Sequence, residues 1–229
     1  MNPKQRWLIV IFSAAAMAWM ESSTVLYLRT LVDRVVPYQA NPLPVSVGLG
    51  KAELVRELAT LVMLATLGTL AGHSRRSRFG YFLVAFGVWD ILYYVFLKLI
   101  IDWPSSIWEM DLLFLLPLPW WGPVLAPVLI ALLMLSFGTL ITQAPRAAEL
   151  TGPPSWAWLL NAGGALLALY VFMADAIRTV NDGSTALRTM LPTSFQWGLF
   201  LLALLLLAAP LGQVFLQLRR DGAMTWPST

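Results

Sequence analysis

FGYFLVAFGVWDILYYVFLKLII, residues Phe79–Ile101, is an apolar run with one aspartate, Asp90, near its middle and one lysine, Lys98, near its end. A helix rises 1.5 Å per residue and the hydrocarbon core of a bilayer is about 30 Å thick, so a helix of this length spans it. The aspartate side chain is too short to reach the headgroups from there, and an ionisable group in hydrocarbon points to function by default. The same reading extends outward along the chain. Apolar stretches recur at about Trp7–Leu31, Glu53–Gly72, Val124–Ile141, Trp156–Ile177 and Trp197–Leu218. Together they predict an all-α fold: one polytopic transmembrane helix bundle of about six spans, occupying residues 1–229 as a single domain.

Composition agrees. The 229 residues are 59% hydrophobic and 12% charged, with a mean hydropathy of +0.72, whereas soluble domains carry roughly 25% charged residues. Spans and loops use up the length and leave no room for a separate soluble domain. Lys4, Arg6, the run Trp7–Ala15 and the triplet Ala16-Met17-Ala18 have the layout of a secretory signal. The apolar character continues to Leu28, however, so this segment is expected to be retained as the first span.

The connectors carry their own signals. After the first span comes a loop of turn formers, with Pro37, Asn41, Pro42, Pro44, Gly48 and Gly50. Gly68 and Gly72 close the second span with a GxxxG spacing that lets another helix approach. Between the third and fourth spans, Ser105–Pro123 is apolar but interrupted by Pro117 and Pro119, and Trp103, Trp108, Trp120 and Trp121 surround it. Interior prolines remove backbone donors, and tryptophans favour the membrane–water boundary. An interfacial or re-entrant half-helix ending near Pro117 is expected there.

Orientation follows from the basic residues. With the N-terminus inside, Lys4, Arg6, Arg75, Arg76, Arg78, Arg146, Arg219 and Arg220 are cytoplasmic, while Arg34 and Arg188 lie opposite, with the helix-end residues Arg29, Lys51 and Arg178 counting less on that side. The positive-inside rule then places both termini in the cytoplasm of a multi-pass plasma (bacterial inner) membrane protein. It also accounts for the net charge of +3 without a nucleic-acid partner. The bilayer is the expected partner, with a homo-oligomer or a larger membrane complex as further assemblies.

Several chemistries are excluded by absence of ligands. The chain has no cysteine, hence no disulfide, thiolate-held Fe–S cluster, cysteine nucleophile or covalently attached haem. The single histidine, His73, cannot by itself provide bis-His haem ligation or a multi-His zinc or copper site. It sits beside Arg75 and Arg76, on the side away from the acids, which argues against a Ser-His-Asp triad. No cofactor is expected, and no P-loop, HExxH or dinucleotide fingerprint is present.

The candidate site is built from charges in the spans. Glu21 lies about 21 Å along a helix that starts at Trp7, past the midplane, and Arg29 returns to nearly its face two turns on. Glu53, Arg56, Glu57 and Thr60 form one stripe at the start of the second span. Tyr93, Tyr94 and Lys98 follow Asp90 up the third, and Asn161, Ala168, Asp175 and Arg178 align on the fifth. Spans one, two, three and five are therefore expected to enclose a polar interior open to the outside. The Trp103–Trp121 connector, with Glu109 and Asp111, would cover its mouth. The uncharged fourth and sixth spans are read as lipid-facing walls or contact surfaces.

Glu21, Glu57 and Asp90 are candidate carboxylate ligands for a cation or proton carriers. Arg29, Arg56 and Lys98 suit an anionic group, and Tyr93 and Tyr94 a hydrogen bond or a stacked ring. The competing explanation is internal pairing, Glu21 or Glu57 with Arg29, or snorkelling of Lys98 and Arg178 towards the headgroups. Asp90 admits neither. Three functions fit: binding or transport of a small polar or charged solute or cation, an enzyme acting on a lipid or lipid-linked substrate, and an accessory subunit of a larger, energy-converting membrane complex. The first two would share one outward-facing site.

Overall fold

The computed structural model describes residues 1–33, 36–39, 47–144 and 152–220. Asn41, Pro42 and Pro44 of the turn-rich loop, and Arg34 and Arg146 of the orientation argument, lie outside the described residues. The chain runs α1 (Pro3–Leu31), α2 (Val47–Ala71), α3 (Arg75–Ile101), β1 (Met110–Phe114), β2 (Trp120–Pro123), α4 (Leu125–Gln143), α5 (Ser155–Thr179), a 3-10 turn, α6 (Ser184–Thr189), α7 (Trp197–Leu207) and α8 (Ala209–Arg220). Five of the helices are long and apolar enough to cross a membrane, or six spans in all if the bent pair α7–α8 counts as one.

Local chemistry sets the helix starts. Asn2 caps α1 through a capping box with Gln5, and Pro3 follows where its missing N–H is harmless. Ser74 and Ser77 cap α3 in the same reciprocal way. Both helices thus begin several residues before the apolar runs that announced them, because caps rather than hydropathy set helix ends.

Packing rests on small residues. Along α1 the buried stripe Val10, Ala14, Ala18, Ser22, Val25 and Arg29 faces the bundle, and Ser22 Oγ donates to Tyr93 O of α3 at 3.0 Å. At Gly68 a Cβ would stand 2.6 Å from the Phe82 backbone nitrogen, so the GxxxG of α2 does admit α3 closely. Glycines on both sides bring α3 and α4 together: a Cβ on Gly87 would meet Ala131 O, and one on Gly138 would meet Gly80 O. One core therefore joins α1, α2 and α3 around Leu64, Val84 and Trp89, and a second joins α4, α5 and α7 around Phe172 and Phe200.

Cross-links define two ends. At one, Arg6 donates to Ala71 O, Trp7 to Thr139 Oγ1 and Tyr81 to Pro3 O, gathering the start of α1 with the ends of α2 and α4. At the other, Tyr38 donates to Pro192 O, and Trp108 packs edge-on against Trp197. They are called here the terminal end and the hairpin end.

Two expectations are corrected. The segment between α3 and α4 is not a half-helix but a two-stranded antiparallel hairpin, pairing Asp111 with Gly122 and Leu112 with Trp121. Pro117 and Pro119 break the helix as expected, but they fall in the connection, leaving leucines, Phe114 and tryptophans free to pair as strands. Gly122 is required where the hairpin presses on Phe172, whose ring would lie 2.8 Å from a Cβ. The fold is mostly helical, as expected, with one inserted hairpin. The sixth span, expected as one helix, is bent by 41° between α7 and α8. Pro210 has no N–H to give Leu206, which breaks the helix at Ala208.

Candidate functional site

The α2 stripe, the last third of α1 and the middle of α3 converge beneath the hairpin. They enclose a cavity of about 230 Å³ between the hairpin end and the mid-depth of the bundle. Its polar wall is made by Glu21 and Arg29 of α1, Glu53, Arg56 and Glu57 of α2, Asp90, Tyr93 and Tyr94 of α3, and Asp111 of β1. Apolar and aromatic side chains fill the gaps, among them Phe86, Trp89, Trp120 and Phe172.

Three sets of contacts organise these groups. Arg56 is held between Glu21 and Glu53, with Nε donating to Glu53 Oε2 at 3.0 Å. Thr60 Oγ1 donates to the other Glu21 oxygen at 3.2 Å. Arg29 Nη2 donates to Asp111 Oδ1 at 2.9 Å, and Tyr94 Oη donates to Asp111 Oδ2 at 3.2 Å. The Arg29 guanidinium also lies over the Trp103 ring at 4.4 Å, a cation–π contact. Both ends of this ion pair are buried, at 10% and 1% side-chain exposure. Glu57, third, accepts from the Leu115 backbone N–H with both oxygens at 3.1 Å and so ties α2 to the hairpin.

Asp90 stands apart. It lines the cavity, and its buried Oδ2 has no hydrogen-bond partner. Trp89 and Trp120, also in the wall, have buried indole N–H groups without acceptors. A buried polar atom without a partner costs about 1–3 kcal/mol, more when charged. A fold retains such an atom more readily where a ligand satisfies it.

The site differs from the sequence expectation in several ways. Arg29 pairs with Asp111 rather than with Glu21 or Glu57. Glu21 turns instead towards α2, because eight residues along a helix overshoot two turns by about 80° and leave the two side chains facing different neighbours. Lys98 is not at the cavity. It is half exposed, bonds Asp102 at 2.7 Å, and holds that exposed carboxyl below the usual carboxylate range. Asp175 likewise pairs with Arg178 on its own helix, away from the cavity, and Phe172 is the part of α5 that reaches it. The uncharged α4 takes the wall expected of α5, through Pro127, Ile130, Ala131 and Met134. Glu53, placed by the sequence on the stripe with Arg56 and Glu57 but given no ligand role there, belongs to the site. Among the described residues no three acidic or histidine side chains stand together as metal ligands would, so Glu21, Glu57 and Asp90 do not form one carboxylate cluster.

Compared with protein-family models, curated proteins and solved structures, the chain matches none of them. The functional reading therefore rests on this geometry.

Proposed function

We propose that this chain is a multi-pass plasma-membrane protein, both termini cytoplasmic, whose cavity opens outward beneath the hairpin and binds or transports a small cationic solute. The observation that carries this reading is the charge balance of the wall: five carboxylates (Glu21, Glu53, Glu57, Asp90 and Asp111) face two guanidiniums, Arg29 and Arg56. Acids in excess of bases inside an apolar bundle are relieved by a bound positive charge. Asp90, unpartnered and central, is the natural counter-ion.

The kind of cation follows from the rest of the wall. The wall also carries the rings of Phe86, Trp89, Tyr93, Tyr94 and Trp120, and among the described residues no three carboxylates stand together as metal ligands would. That mixture suits an organic ammonium, whose diffuse charge is attracted to aromatic faces, better than a metal ion, which wants several oxygens at one point.

Butyltrimethylammonium binding to the protein in lipid nanodiscs, followed by calorimetry, tests the proposal. Binding to the native protein should weaken roughly tenfold or more in Asp90→Asn, about 1.4 kcal/mol or more, and stay unchanged in Arg178→Gln. Absence of binding, or equal binding by native protein and Asp90→Asn, would overturn it. Probe uptake into proteoliposomes then separates carriage from binding.

A further inference from the structure

Resting on that reading of the cavity, we infer that its ligand is a single-chain amphiphile: an ammonium head at Asp90 and a hydrocarbon tail lying in an adjoining apolar groove. The groove has a volume of about 330 Å³ and runs between α3, α4, α5 and the α7–α8 bend. Four side chains, Trp120, Ile130, Met134 and Phe172, line both spaces, so cavity and groove meet along one wall.

The partition is aromatic. Trp120 and Phe172 lie parallel, ring centroids 6.2 Å apart and planes 3° from coincident. Trp120 also offers an unpartnered indole N–H at this shared wall, a donor for an oxygen near the head group. On α3 the two spaces are stacked in order: Asp90 in the cavity, Leu83 and Phe79 in the groove. From Asp90 to Phe79 is about 16 Å along a helix, the span of a medium-length alkyl chain. At its far end Phe79 and Trp158 are 39% and 37% exposed, so the groove is open there.

Polarity changes in step with this geometry. All the ionisable groups in the two walls belong to the cavity, and the groove's polar side chain, Asn161, is occupied with Leu207 O at 2.8 Å. A tail gains little from leaving lipid for such a groove, since both are equally apolar. What the groove supplies is room: a head could not sit at Asp90 with its tail still attached if the cavity were closed.

Butyl-, octyl- and dodecyltrimethylammonium, titrated into the protein in nanodiscs against empty discs, separate the possibilities. The expected result is that all three bind, each roughly tenfold or more weaker in Asp90→Asn. Ala165→Phe, which puts a ring into the groove, should abolish dodecyl binding while leaving butyl binding within about twofold, a difference under 0.5 kcal/mol. Leu133→Phe serves as a second groove variant should the first not fold. Butyl binding with dodecyl excluded from the native protein would overturn the inference and leave the cationic site standing. So would dodecyl binding unaffected by a folded groove variant. Failure of all three probes would remove both.

Discussion

At the scale of the residue, ion pairs and orphaned atoms have opposite consequences. Arg29 and Asp111 are both buried and paired through Arg29 Nη2, although Arg29 Nη1 has no hydrogen-bond partner. Removing one partner strands a charge, which destabilises by about 3–5 kcal/mol, whereas replacing both with apolar groups is often neutral. Arg29→Met should therefore lower the mixed-micelle denaturation midpoint sharply, and Arg29→Met with Asp111→Leu should recover most of the loss. A double variant no better than the single one would show that Arg29 acts through Trp103 rather than through Asp111. Asp90→Asn should behave in the reverse sense: no stabilising partner is lost, so stability is held or raised while cation binding falls. Asp90 was legible in the sequence because an isolated aspartate within an apolar run has no local explanation. The partner of Arg29 was not, since Asp111 is 82 residues away and only the folded hairpin brings it back.

At the scale of the element, small residues decide where helices can touch, and sequence shows them without saying which are used. Gly163 and Gly164 are adjacent on α5 and together read as close helix packing. In the fold only Gly164 is in contact: a Cβ there would lie 2.8 Å from Ala203 O and from Leu207 N of α7, while Gly163 has nothing within 4 Å. Gly164→Ala should destabilise by about 1–3 kcal/mol through overpacking. Gly163→Ala should leave stability unchanged or raise it by up to ~1 kcal/mol through helix propensity. Equal effects in unfolding measurements would mean that α7 does not sit against Gly164. The same limit explains the exchange of α4 for α5 in the cavity wall. Polar stripes mark which helices carry charge, but Ile130 and Met134 look no different from lipid-facing residues until α3 packs on them. The prolines at 117 and 119 announced a break, yet strand pairing is a relation between distant residues, and no local pattern distinguishes it from a short helix.

At the scale of the whole molecule, the two ends differ in chemistry, and the proposed orientation rests on that difference. Lys4, Arg6, Arg75, Arg76, Arg78 and Arg219 belong to helix ends or connectors at the terminal end, while the cavity and the hairpin occupy the opposite one. The bent pair decides whether the C-terminus returns to the terminal end. Trp197 packs on Trp108 at the hairpin end, whereas Leu218 packs with Leu83, Phe137 and Ile141 towards the other, which favours counting α7 and α8 as one broken span. On the orientation proposed above, by the positive-inside rule, the basic end lies in the cytoplasm and the cavity mouth outside. Because the chain has no cysteine, single introduced cysteines report position without background. In intact cells an impermeant maleimide should label Ser184→Cys at the hairpin end, and should reach His73→Cys and Arg219→Cys only after lysis. The reverse pattern would turn the acidic cavity towards the cytoplasm and recast it as a site for export or for an internal ligand. Labelling of Arg219→Cys together with Ser184→Cys would instead make the bent pair a re-entrant element, leaving five crossings and the C-terminus outside.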